Sequence, residues 1–141
     1  MPHPLNRQVR LVRRPAGIPE AADFEIAQSP AGEPGPGQVR VRNIYLSVEP
    51  AMRGWVSAVA NYSEPVALGS VMRSFTAGRI DASDDPRYPV GTLVTGMFGW
   101  QDYAVVDVAA IQHVIEETDL PLSTSLGVMG INGVTAHYGL L

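Results

Sequence analysis

Proline and glycine interrupt the first two thirds of this chain so often that no long helix fits between them. Together they number 26, as 14 glycines and 12 prolines, and most of them separate short apolar runs. That spacing predicts an all-β barrel or sandwich rather than a helical fold. Residues 7–14 alternate, with Val9 and Leu11 on one side, and residues 24–28 place Phe24 and Ile26 on one face. The stretch Ala31-Gly32-Glu33-Pro34-Gly35-Pro36-Gly37 reads as a loop, since five of its residues are glycine or proline and resist regular structure. Residues 38–48 carry the strongest strand pattern. Val39 and Val41 share one face, whereas Ile44, Leu46 and Val48 fall on the other parity. A slip of one residue flips every later side chain, so the strand either buries both faces or contains a β-bulge at Arg42-Asn43. The bulge suits a strand that bends at a barrel corner.

Glu49-Pro50-Ala51-Met52-Arg53-Gly54 breaks that strand and suits one short helical turn, with proline at its start and an acid before it. Further strands are expected over 70–80, interrupted at Gly78, over 90–98, over 101–106 and over 112–115, with an acidic turn at 81–87. From Leu120 onward the period changes. Residues 122–129 have helical spacing, with Ser123 placed to cap and Gly130 to end the helix. Asn132-Gly133 punctuates, and a second helical run over 134–141 stops without a capping residue, as a cut chain would. The expected architecture is mainly β: a partly open barrel with short helices, in two parts, 1–120 and 121–141.

With 141 residues, 45% hydrophobic and 17% charged, the chain suits one globular domain. A net charge of −4 gives no electrostatic reason to expect nucleic acid or an anionic membrane as partner. Arg7, Arg10, Arg13 and Arg14 crowd the first strand, as expected of a solvated edge blunted by charge. No signal peptide precedes it, and no apolar run approaches the ~20 residues that span a bilayer, so the cytoplasm is the expected compartment. The chain has no cysteine, and His3, His113 and His137 lack paired ligand spacing, so no metal site is expected.

Several segments, in this order, resemble the leukotriene B4 dehydrogenase, prostaglandin reductase and alkenal double-bond reductase branch of the medium-chain dehydrogenase/reductase superfamily. They are Gly35-Pro36-Gly37-Gln38-Val39-Arg40-Val41-Arg42, Leu46-Ser47-Val48-Glu49-Pro50-Ala51-Met52-Arg53-Gly54, Gly69-Ser70-Val71-Met72-Arg73, Gly99-Trp100-Gln101-Asp102-Tyr103-Ala104-Val105 and residues 126–141. The resemblance implies a GroES-like barrel whose C-terminal helices lead toward a Rossmann domain that this chain does not contain. Gly127-Val128-Met129-Gly130-Ile131-Asn132-Gly133 is rich in glycine. It follows a helical pattern rather than a buried strand, so it reads as helix punctuation and not as a dinucleotide fingerprint. Zinc-dependent members carry a cysteine ligand where this chain has Ser47, so the resemblance implies chemistry without zinc.

The implied activity is NADPH-dependent reduction of the carbon–carbon double bond of α,β-unsaturated aldehydes or ketones. The cofactor supplies hydride and the protein supplies binding, orientation and electrostatics. Most cofactor contacts, and the tyrosine credited with assisting the reaction, belong to the absent domain. The fragment is therefore expected to be inactive alone, and no catalytic residue is assigned.

On the same resemblance Ala51, Met52, Met97 and Phe98 line the substrate channel, while Met129, Asn132 and Thr135 approach the nicotinamide. Residue type alone allows other roles: core packing for the Met and Phe side chains, a hydroxyl bonded back to its own helix for Thr135, and a local pair with Glu49 for Arg53. Tyr45, Tyr62 and Tyr103 are alternative donors. Two other functions remain open: a quinone reductase of the same superfamily, or a non-catalytic barrel that binds a small ligand or a partner. A broad apolar face on a lone barrel favours association, so a homo-oligomer is expected.

Overall fold

The computed structural model describes residues 3–59, 63–117 and 119–141. Seven strands form two antiparallel sheets. The smaller pairs β1 (Leu5–Leu11) with β2 (Phe24–Pro30). The larger has the order β6-β3-β4-β5-β7, from β3 (Gln38–Leu46), β4 (Thr76–Ser83), β5 (Leu93–Gly96), β6 (Tyr103–Asp107) and β7 (Ile111–Val114). It curls into a half-barrel, so the mainly β, partly open barrel expected from the punctuation is present. Two helices are added, α1 (Ala51–Trp55) and α2 (Ile131–Gly139).

Two apolar clusters hold these parts together. One packs Val39, Val41, Ile80, Val94, Phe98 and Ala104 on the inner face of the large sheet. The other packs α1 and the following segment through Val66 and Met72 against Leu11 of the small sheet, with Met52, Trp55 and Val56 between them. Strand β1 is not a bare edge. It pairs along its length with β2 and bridges to Gln101 and Val71 on its other side. Its arginines are engaged rather than merely solvated: Arg7 binds Asp102 at 2.7 Å and Arg13 binds Asp23 at 2.6 Å.

The irregularity expected at Arg42-Asn43 is present as two register shifts against β4, between Arg40 and Val41 and between Asn43 and Tyr45. The ladder with β6 ends at Arg42, and from there β3 leaves the core. Ile44, Leu46 and Val48 are consequently exposed rather than buried. Gly78 does not interrupt β4. It lies inside the strand opposite Asn43, where a Cβ would come within 2.5 Å of the Arg42 carbonyl oxygen and 2.7 Å of Val41 Cγ1. The strand expected from residue 70 begins only at Thr76. The preceding segment instead crosses to β1, where Ser70 O accepts from Leu11 N and Met72 N donates to Val9 O.

The C-terminal helices are shorter and differently placed than their periodicity predicts. Leu122–Leu126 forms only a 3-10 turn. The hydroxyls of Thr124 and Ser125 donate back to Pro121 O and Leu122 O, and no side chain caps the turn, Ser123 included. Asn132 and Gly133 lie within the first turn of α2 instead of separating two helices. Gly133 is tolerated there because a Cβ would collide with the Val128 carbonyl. Close backbone return, not a helix break, is its structural role. Among the described residues no helix is long and apolar enough to cross a membrane.

Candidate functional site

Three elements of the large sheet and the chain that folds back over it form a groove. Thr95 on β5 and His113 on β7 are cross-strand partners and therefore share one face of the sheet, opposite the apolar inner face. Phe75 precedes β4 and Glu49 precedes α1, and both join that face at one end. Pro50 starts α1 in helical backbone conformation. Met52 N donates to Glu49 O at 3.0 Å and Arg53 N to Pro50 O at 3.1 Å, which holds Glu49 at the head of the turn. The roof is Ser125, Leu126, Met129, Ile131 and Val134.

The open groove measures about 500 Å³. It shares Thr95, His113, Ser125 and Met129 with a second cavity of about 490 Å³, which continues toward Arg79, Leu93 and Glu117. The groove thus has a mostly apolar wall, a carboxylate near one end and an imidazole at its waist. That is the usual make-up of a small-molecule site, in which apolar walls bind and a few polar groups orient.

The carboxylates with displaced pKa values lie elsewhere. The Arg87 guanidinium and backbone N–H hold Asp85 at about 2, well below the usual carboxylate range. The Glu20 backbone N–H and then Arg13 lower Asp23, Arg40 lowers Glu33, and Arg7 lowers Asp102. These pairs brace the barrel, and none of the four carboxylates lines the groove. Among the described residues no group of three or more His, Asp or Glu side chains is placed to hold a metal ion.

The seven residues singled out by resemblance are not gathered on one wall. Met129 lines the groove. Asn132 and Thr135 are exposed on α2, and the Thr135 hydroxyl donates to Ile131 O at 2.8 Å, within its own helix. Ala51 and Met52 pack into the cluster around Leu11 of the small sheet. Phe98 is buried in the barrel core, whereas Met97 is exposed beside a separate hollow of about 350 Å³ near Pro65 and Arg73. Arg53 makes no ion pair with Glu49 among the described residues. Tyr62 lies outside the described residues. Tyr103 sits beneath the Arg40 guanidinium, 5.9 Å from its ring centroid.

Phe75, Thr95, Gln112 and His113 carry no site signal in the sequence, and Glu49 reads there only as a helix-start acid and a local partner for Arg53. A lone histidine on an exposed strand position comes nearest to one. It points nowhere until the register sets it opposite Thr95.

Comparison with known proteins gives a consistent picture. Residues 7–114 match a family described as the N-terminal domain of oxidoreductase, ending at the last residue of β7. The NADPH-dependent curcumin reductase of Escherichia coli is 41% identical over 138 residues, covering 96% of this chain and 39% of that protein. The NADP(+)-dependent 2-alkenal reductase of Nicotiana tabacum is 33% identical, covering 95% of this chain and 40% of that protein. The crystal structure of CurA in complex with NADPH from Vibrio vulnificus superposes with a TM-score of 0.85 at 40% identity, over 96% of this chain and 40% of that one. The chain therefore spans about two fifths of the length of these relatives.

Proposed function

The chain belongs to the N-terminal domain family of zinc-independent medium-chain oxidoreductases, and from that premise we propose that it forms the substrate-side wall of an NADPH-dependent reductase. The reaction proposed is reduction of the carbon–carbon double bond of an α,β-unsaturated aldehyde or ketone. The observation that carries this reading is the groove itself. It is flanked by the 125–134 segment, which resembles the part of the family that approaches the nicotinamide, and Met129 in that segment shares one cavity with Glu49 and His113.

The lining suits a nicotinamide cofactor. Phe75, Leu126, Met129 and Ile131 supply an apolar cleft of about 500 Å³, and Glu49 supplies an acceptor at its end. A flat amide-bearing ring suits those surfaces, with Met129 and Glu49 as the residues that would hold it. When bound, NADPH supplies the hydride. The chain's own contribution is to orient the reacting pair, exclude water with the 125–134 roof, and present the His113 imidazole as a donor at the waist. Ala51, Met52, Met97 and Phe98 are proposed to act on the substrate side, three of them by packing beneath the surface and Met97 from the exposed hollow. Asn132 and Thr135 are proposed on the cofactor side. Residues 121–141 are proposed to belong to the connection into a nucleotide-binding domain, and the intact protein is proposed to be a cytoplasmic homo-oligomer.

The test is loss of NADPH absorbance with a medium-chain 2-alkenal, comparing this chain with a protein extended by its downstream residues. Turnover only in the longer protein is expected. Turnover in neither moves the reading to a quinone substrate, and turnover by the 141-residue chain alone defeats the claim that it needs a second domain.

A further inference from the structure

All ten cationic side chains of this protein are arginines, since the sequence contains no lysine. Seven of them are committed. Arg7, Arg13, Arg40 and Arg87 bind carboxylates. Arg10 donates to Gln8, Arg14 to Val56 O, and Arg73 to Glu64 O while lying over the Trp55 ring. Among the described residues only the side chains of Arg42, Arg53 and Arg79 have neither a hydrogen bond nor an ion pair.

Two of these three are register partners, with Arg42 on β3 facing Arg79 on β4. Directly opposed residues of an antiparallel pair project from the same face with Cβ atoms roughly 5 Å apart, and like charges in that position repel. The nearest counter-charge is offset. Asp102 feels Arg42 only as its weakest electrostatic influence, because its oxygens are taken by Arg7. Arg79 lines the distal end of the groove, beyond the Thr95–His113 waist, with Leu93 beside it on β5 as its own cross-strand partner. Glu117, on the chain that passes over that end, is the one carboxylate lining this cavity. Arg79 therefore lines the distal mouth beside one exposed acid, while Arg42, its register partner across β3 and β4, lines a separate hollow with Arg7 and Asp102.

We propose that Arg42 and Arg79 form an anion subsite across β3 and β4, beside the distal mouth of the groove, taking the carboxylate or phosphate group of a ligand whose apolar body lies along Leu93, Thr95 and Met129. Guanidinium groups are suited to it, because each presents a planar fork that matches a carboxylate or phosphate in two parallel hydrogen bonds. An anion between them replaces a like-charge repulsion with two attractions. Two sources share this chemistry: an acid group at the far end of an elongated enone, and a phosphate group. The proposal rests on the reductase reading only for the enone half of the first.

The test is calorimetric titration of the 141-residue chain with trans-3-decen-2-one, with the same enone ending in a carboxylate, and with inorganic pyrophosphate. The expected result is about tenfold tighter binding of the acid than of the neutral enone, the worth of one charge-assisted hydrogen bond. Arg79→Gln and Arg42→Gln should each remove that preference without weakening the neutral enone, and Glu117→Gln should strengthen it. Both arginine variants should melt no lower than the parent, so loss of binding cannot be mistaken for loss of fold. Pyrophosphate that binds and competes with the acid in an Arg79-dependent way assigns the subsite to phosphate as well; acid preference without pyrophosphate binding assigns it to the substrate's own carboxylate. Equal affinity for the acid and neutral enones with no pyrophosphate binding, or a preference that survives both arginine substitutions, overturns the proposal. Turnover in the longer protein is scored separately. Arg79-dependent acid binding with no turnover keeps the subsite and defeats the reductase reading.

Discussion

Replacing Gly78 by alanine tests how the large sheet closes. The added Cβ would lie 2.5 Å from the Arg42 carbonyl oxygen and 2.7 Å from Val41 Cγ1. An ordinary carbon–oxygen contact between strands is about 3.3 Å, so β3 and β4 must part by roughly 0.8 Å where Asn43 pairs with Gly78. Overpacking of this kind costs about 1–3 kcal/mol, and a weakened ladder hydrogen bond adds about 1 kcal/mol. Against this, losing a glycine from the unfolded chain returns about 0.4–1 kcal/mol. The net expectation is a loss of about 2–3 kcal/mol, which lowers the melting temperature of a chain this size by about 8–12 °C. Thermal unfolding followed by circular dichroism reads it directly. Gly17→Ala is the control, because nothing lies within 4 Å of a Cβ there and its φ is not positive. It should be neutral or slightly stabilising. Adding Val41→Ala to Gly78→Ala should rescue little, since the nearer obstacle is backbone. A Gly78→Ala protein that melts within 2 °C of the parent would refute the reasoning.

Three other perturbations have defined outcomes. Leu11 is fully buried between Met52, Trp55 and Met72, so Leu11→Ala should cost about 2–5 kcal/mol in urea unfolding, and a loss below 1 kcal/mol would mean the small sheet does not depend on that cluster. Arg79→Gln should raise stability by about 0.2–1 kcal/mol by relieving the repulsion across Arg42 and Arg79, and a lower melting temperature would show that Arg79 has a partner after all. Asp23, Glu33, Asp85 and Asp102 are all held below their unfolded pKa values, so their stabilisation is fully present above the unfolded carboxylate range near pH ~4 and is lost as pH falls through the folded values, about 2 for Asp85. Asp85→Asn should flatten the low end of an acid titration of stability; a curve parallel to the parent's between pH 4 and 2 would sink that assignment.

Much of the scaffold was legible because its signals are local. Gly and Pro punctuation marked the strands, the parity change after Val41 announced an irregular strand, and the acidic stretch over 81–87 marked the turn that follows β4. The seven site residues were harder, and for a physical reason. Resemblance located segments in the family pattern, but it did not say which side of a segment is covered. Ala51 and Met52 pack on the Leu11 cluster and Phe98 in the core of the large sheet, while Met129 lines the groove. Periodicity over 122–129 suggested a full helix. The tight return of Gly133 onto Val128, five residues back, depends on the backbone path between the two turns, which periodicity does not set.

What the sequence by itself determined is therefore the kind of fold, the approximate strands and the family, since these depend on patterns within a few residues or on ordered motifs. Only the tertiary structure decided that Ile44, Leu46 and Val48 face outward, that Glu49, Thr95, His113 and Met129 share one groove, and that Arg42 stands opposite Arg79. Each of those follows from strand register and curvature. A register is set by pairing between residues dozens of positions apart, and one shift of a single residue exchanges the two faces of a strand.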